Sequence, residues 1–152
     1  MSLKEEVELL QRIPLFQHIE PAKLKLLAFT SERVAFEAGH VLFKEGDMGD
    51  AAYIIMEGAA EVTVASPAGP VVVANLGRNA FVGEIAILCD VPRTATVKAA
   101  SELVTLRISK ELFFRLIVEF PQIGIEIMRV LAERLEYTTI QLQKALSKAG
   151  AS

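Results

Sequence analysis

The stretch FVGEIAILCDVPRTATV, Phe81 to Val97, decides how the rest of the chain is read. It opens as a strand, continues as a short apolar turn of helix from Glu84 to Leu88, breaks at Asp90-Val91-Pro92, and resumes as an alternating strand headed by Arg93. Glu84 and Arg93 are set among apolar residues, and charged side chains are seldom buried without a partner. If Gly83 ends a strand and Glu84 starts a helix, the first backbone N–H groups of that helix have no intrahelical acceptor and favour an anion. Arg93 can return to the same space, and its planar fork matches two phosphate oxygens in a way that a lysine cannot. A carboxylate beside a phosphate is consistent with a ligand that also carries a hydroxyl, because Glu84 accepts from such a donor. One anion, one hydroxyl and a small apolar pocket describe a ribose phosphate, with Gly83, Ala86 and Ala95 small enough for close backbone approach. The alternative is a buried Glu84–Arg93 ion pair with no ligand.

Outward from this stretch, short apolar runs are punctuated by glycine: RVAF, VLFKEG, AAYIIMEG, EVTVAS and VVVANLG before it, RTATVKAA and LVTLRIS spanning and following its end. Strands so short and so closely spaced by turns predict an antiparallel sandwich or jelly roll. Gly39, Gly46, Gly49, Gly58, Gly69 and Gly77 fall at the predicted turns and are read as positions of positive φ. In LVTLRIS, Leu103, Thr105 and Arg107 alternate with Val104, Leu106 and Ile108, the pattern of a strand with one buried face. Helical spacing is predicted over Leu3 to Gln11, ended by Pro14, and over Pro21 to Ala28, with Pro21 suited to a first helical position. Ser109 is placed to cap KELFFRLIVEF, and after Pro121 a long helical pattern runs to about Lys148. The expected fold is mainly β with flanking helices: an antiparallel β-roll (residues 31–108, with the anion-binding segment at 81–97) between N-terminal helices (1–30) and a C-terminal helical lid (109–148). All of it reads as one domain spanning 1–152.

Composition sets the outer limits. The 152 residues are 52% hydrophobic and 23% charged, which argues for a folded core and against disorder. The net charge of −3 gives no general attraction to nucleic acid or anionic lipid, so neither is expected as a partner of this chain alone. Cys89 is the sole cysteine, which excludes an intramolecular disulfide and fits a reducing compartment; it is read as a small apolar filler, with redox sensing as an alternative. The charged N-terminal residues Lys4, Glu5, Glu6 and Glu8 do not suit a signal peptide or a membrane span, and a cytoplasmic location is expected. His18 and His40 have no metal-ligand spacing, and no nucleophile set or phosphate-binding GxxxxGK[ST] run is present, so neither an enzyme nor a metal site is expected.

The run Gly83-Glu84-Ile85-Ala86 followed by Pro92-Arg93-Thr94-Ala95-Thr96-Val97 resembles the phosphate-binding cassette of the cyclic nucleotide-binding domain family. AGHVLFKEGDMGDAAYIIMEGAAEV, Ala38 to Val62, is similar to that family's glycine-marked β-roll. Val82 stands where the family often has an aromatic residue or none. The resemblance implies a non-catalytic regulatory module, with a cyclic nucleotide as ligand and no cofactor. Glu84 would accept from the ribose 2′-hydroxyl, and Arg93 would pair with the cyclic phosphate. Backbone N–H groups of Gly83, Ile85, Ala86 and Ala95 would complete the cradle. Thr94 permits cyclic GMP without requiring it, and cyclic AMP is favoured.

At about 100° per residue, Ile123, Ile127, Val130, Leu131, Leu135 and Leu142 share one broad stripe of the last helix, with Arg134 inside it and Glu126, Arg129, Glu133 and Glu136 opposite. The resemblance implies that this helix closes over the purine and that Arg134 caps the base; outward snorkelling or pairing with a carboxylate is the alternative. Leu142, Ala145 and Leu146 carry the apolar stripe further, which fits a homodimer through this helix or packing on the chain's own N-terminal helix. A ligand-free roll acting as an interaction module, or the sensor part of a larger transcription regulator or channel, remains the competing reading. A DNA-binding regulator needs a helix-turn-helix beyond Leu146, and a phosphodiesterase needs metal ligands that are missing from this pattern.

Overall fold

The computed structural model describes residues 2–13, 16–17 and 19–151. Pro14, read as the end of the first helix, and His18, read as having no metal-ligand spacing to His40, lie outside the described residues. The chain divides into two units, one ending at Arg115 and one beginning at Leu116.

In the first unit, α1 (Leu3–Gln11) and α2 (Pro21–Thr30) precede eight strands: β1 (Glu32–Phe36), β2 (Val41–Phe43), β3 (Ala51–Glu57), β4 (Ala60–Val64), β5 (Val71–Leu76), β6 (Phe81–Val82), β7 (Thr96–Ala99) and β8 (Leu103–Ser109). A short helix, α3 (Glu84–Cys89), is inserted between β6 and β7, and α4 (Lys110–Glu119) follows β8. The strands form two four-stranded antiparallel sheets, ordered β1-β8-β3-β6 and β2-β7-β4-β5. This is the predicted β-roll with its helices.

Side chains from both sheets meet in one core, in which Ala51, Tyr53, Ile55, Val82 and Leu103 pack with Ala60, Val97 and Ala99. The opposite face of β3 is also buried, at Ala52, Ile54 and Met56, because helices lie over it. Ile54 pairs with Phe81, whose ring stacks on Phe113 of α4 at 5.6 Å, and Glu6 of α1 joins Met56, Thr105 and Leu106 in lining a small cleft. Covering both faces explains why AAYIIM is a continuous apolar run rather than an alternating one. It also corrects the one-faced reading of β8: Leu103 and Thr105 are buried on the inner side, while Leu106 and Ile108 are buried as well. The Thr105 hydroxyl, fully enclosed, donates to the Val34 carbonyl at 2.9 Å.

The helix ends follow local chemistry. The Ser2 hydroxyl accepts from the Glu5 N–H at 3.2 Å, and the Ser109 hydroxyl accepts from the Leu112 N–H at 3.2 Å, the predicted cap. Pro21 starts α2, as its fixed φ favours. Gly39, Gly46, Gly58 and Gly69 have positive φ, but Gly49 and Gly77 do not, which corrects their reading as left-handed turn positions.

In the second unit, the last residues of α4 lead into α5 (Pro121–Ala151) through Phe120, whose N–H donates to Leu116 O at 2.8 Å. Ile123 and Ile127 are buried, Val130, Leu131 and Arg134 are half-buried, and Leu135 and Leu142 are exposed. The expected stripe is therefore narrower than drawn, because Leu135 and Leu142 fall about 120° and about 100° from Ile123 around the helix. Among the described residues, no helix is long and apolar enough to cross a membrane.

Candidate functional site

The turn Gly46-Asp47-Met48-Gly49 holds the backbone of the 92–93 segment in place. Arg93 N–H donates to Asp47 O at 2.7 Å, Gly46 N–H donates to Arg93 O at 2.8 Å, and Met48 bridges Pro92. These bonds hold Arg93 in a loop, so that β7 begins only at Thr96 and not at Arg93 as the alternation suggests. At the first residue of β7, the Thr96 hydroxyl accepts from the Glu45 N–H at 2.9 Å and ties the strand to the residue just before the same turn.

The Arg93 side chain runs inward and is 4% exposed. Its Nη1 donates to Gly83 O at 2.8 Å and its Nη2 to Ala51 O at 2.7 Å. The guanidinium carbon lies 3.9 Å from the centroid of the Phe43 ring. The ion pair from Nη2 to Asp50 Oδ1 is long, at 3.9 Å, and Asp50 is shared with Arg107 at 3.0 Å. Burial lowers the pKa of Arg93 from its usual value, opposed by Tyr53 and Asp50. Nε is buried and, among the described residues, has no hydrogen-bond partner.

Gly83 caps α3 with φ +90°, and a Cβ there would come within 2.8 Å of Arg93 Nη1. Glycine is required at this position on both counts. A Cβ on Gly49 would collide with the Ala86 methyl and approach the Arg93 guanidinium carbon to 3.4 Å. Gly49 is therefore a close-approach position, which is why it needs no positive φ. Glu84, the first residue of α3, is 2% exposed, Ala86 is buried, and Ile85 turns outward. As in any helix, the first N–H groups of α3 lack intrahelical acceptors.

The structure thus brings together Gly83, Glu84, Ala86 and Arg93, which lie at or directly flank the α3 start. Ala95 is half-buried beyond Arg93, and Thr94 between them is exposed. Arg134 lies on α5 in the second unit, in line with Ile123, Ile127 and Val130. Cys89, read as an apolar filler, is exposed at the end of α3, where Asp90 turns the chain left-handed with φ 53°.

Three residues were missed in the sequence. Phe43 reads as an ordinary strand residue, Gly49 as a turn, and Asp50 as part of a polar loop. The signal that could have singled out the last two is the paired GDMGD run directly before β3.

Comparison with known proteins identifies the family. Residues 33–120 match the family described as cyclic nucleotide-binding domain. A CRP-like cAMP-activated global transcriptional regulator of Mycobacterium tuberculosis is 31% identical over 136 residues, covering 89% of this chain and 61% of that protein. A cAMP-dependent protein kinase regulatory subunit of Emericella nidulans is 33% identical over 108 residues, covering 71% of this chain and 26% of the relative. The chain therefore spans less than two thirds of the length of either. Among solved structures, the catabolite activator protein of Thermus thermophilus has a TM-score of 0.78 at 26% identity, with 86% of this chain and 62% of that chain covered. The match over 33–120 takes in both sheets, the α3 insertion and Arg93, and the chain belongs to the cyclic nucleotide-binding domain family.

Proposed function

We propose that the chain works as one non-catalytic regulatory domain that binds a 3′,5′-cyclic nucleotide, favouring cyclic AMP over cyclic GMP, and reports it through its C-terminal helices. The observation that carries this reading is Arg93: a buried guanidinium, anchored by two backbone carbonyls beside the start of α3, that keeps a buried Nε donor without a partner among the described residues. An anion supplied by a ligand satisfies such a donor. In this reading Arg93 pairs with the cyclic phosphate and Glu84 accepts from the ribose 2′-hydroxyl. Backbone N–H groups of Gly83, Ile85, Ala86 and Ala95 complete the cradle, Thr94 lies on the rim towards the base, and Arg134 caps the purine.

The preference for cyclic AMP is supported by the relatives, whose names specify cAMP for a transcription regulator and for kinase regulatory subunits. The mechanism is population shift: the nucleotide favours the arrangement in which the last helices close, to the extent that it binds that arrangement more tightly. A homodimer through α5 is supported by its exposed Leu135, Leu142 and Leu146. The net charge of −3 supports a cytoplasmic module that by itself engages neither nucleic acid nor anionic membrane. A ligand-free interaction roll is the second reading, favoured by the same exposed α5 residues.

Titration calorimetry with cyclic AMP and cyclic GMP tests the proposal. Saturable heat with both nucleotides, tighter for cyclic AMP, is the expected result; absence of heat with either leaves the interaction roll standing.

A further inference from the structure

A guanidinium has five N–H donors in one plane, and two of those of Arg93 are taken by the carbonyls of Gly83 and Ala51. The guanidinium carbon lies over the Phe43 ring, 3.9 Å from its centroid. That ring is itself held: it stacks on Tyr53 with centroids 6.0 Å apart and planes 30° apart, and Tyr53 meets Phe36 edge-on at 6.3 Å. The Nε donor, buried, faces no acceptor among the described residues. Leaving such a donor unpaired is costly, which a fold tolerates where a ligand completes the bond.

We propose that Phe43 is a positioning residue for Arg93: its ring fixes the plane of the guanidinium so that the Nε–H is presented to one particular oxygen of the ligand's phosphate. The inference rests on the cyclic-nucleotide reading and adds to it how the arginine is aimed. The two backbone bonds fix the position of the guanidinium end, and the ring restrains its tilt. An aliphatic side chain fills the same space but has no negatively charged face to hold a cation flat.

The test uses the full chain, calorimetry with cyclic AMP, and the two phosphorothioate diastereomers in which sulfur replaces one or the other exocyclic phosphate oxygen. A guanidinium held in one plane distinguishes the two oxygens, so the wild type is expected to separate the diastereomers at least about tenfold. Phe43→Leu is expected to weaken cyclic AMP about tenfold and to bring the diastereomer ratio towards one, whereas Phe43→Tyr keeps both values within about threefold. In an Arg93→Ala background, Phe43→Leu is expected to change affinity by less than about twofold, because the two side chains act through one contact. Melting without ligand shows whether Phe43→Leu folds, and Phe43→Met replaces it if it does not. Wild-type binding with an unchanged diastereomer ratio in the leucine or methionine variant overturns the role of Phe43 and leaves the nucleotide reading intact. Failure of the wild type to bind any of the three compounds overturns this inference, and failure to bind cyclic GMP as well overturns the nucleotide reading.

Discussion

At the scale of single residues, Arg93 and Gly83 are bound into one constraint. Arg93 holds the carbonyls of Gly83 and Ala51, and Gly83 in turn leaves the space that the guanidinium occupies. Arg93→Ala is expected to weaken cyclic AMP binding by about 2–5 kcal/mol, the usual cost of removing one partner from a buried charged contact, read by calorimetry. Arg93→Lys keeps the charge but not the planar fork, so it is expected to recover only part of that loss. Gly83→Ala combines a left-handed φ with a contact on Arg93 Nη1, and is expected to lower stability by about 1–3 kcal/mol in urea unfolding. Glu84 was visible in the sequence because its charge is out of place among apolar neighbours. Phe43 was not, because an aromatic residue in a strand is ordinary until a cation is found over its ring.

At the scale of elements, the boundaries that chemistry marks locally were the legible ones. Leu3–Gln11 was read with its observed limits, Pro21 starts its helix, and Ser109 caps α4 through the Leu112 N–H. Ser109→Ala is accordingly expected to cost about 1 kcal/mol, measured by chemical denaturation. Elements whose limits depend on distant partners were read less well. The strand at Arg93 was started three residues early because nothing local announces the two backbone bonds to the 46–47 turn. The alternation in β8 was read as one buried face because the sequence does not say that helices cover the other. On α5, Leu142→Glu together with Leu146→Glu is expected to convert the proposed homodimer into a monomer, as checked by size-exclusion chromatography with light scattering.

At the scale of the whole molecule, ligand binding and stability are linked. A ligand that binds only the folded chain, at a hundred times its dissociation constant, adds about 2.7 kcal/mol to stability. For a chain of this length that corresponds to a rise in melting temperature of roughly 5–10 °C. Cyclic AMP is expected to raise the melting temperature of the wild type and to leave that of Arg93→Ala nearly unchanged at the same concentration. By itself, the amino-acid sequence determined the β-roll class, the order of helices and strands, and the family resemblance of the 81–97 segment. Those properties depend on period, turn chemistry and short-range spacing, all of which are written along the chain. Only the tertiary structure decided that Gly49 serves close packing against Ala86, that Asp50 is shared between Arg93 and Arg107, and that the Phe43 ring lies under the guanidinium. Each of these joins residues far apart in the chain, and contacts at that distance are set by sheet pairing and by the packing of the elements around it.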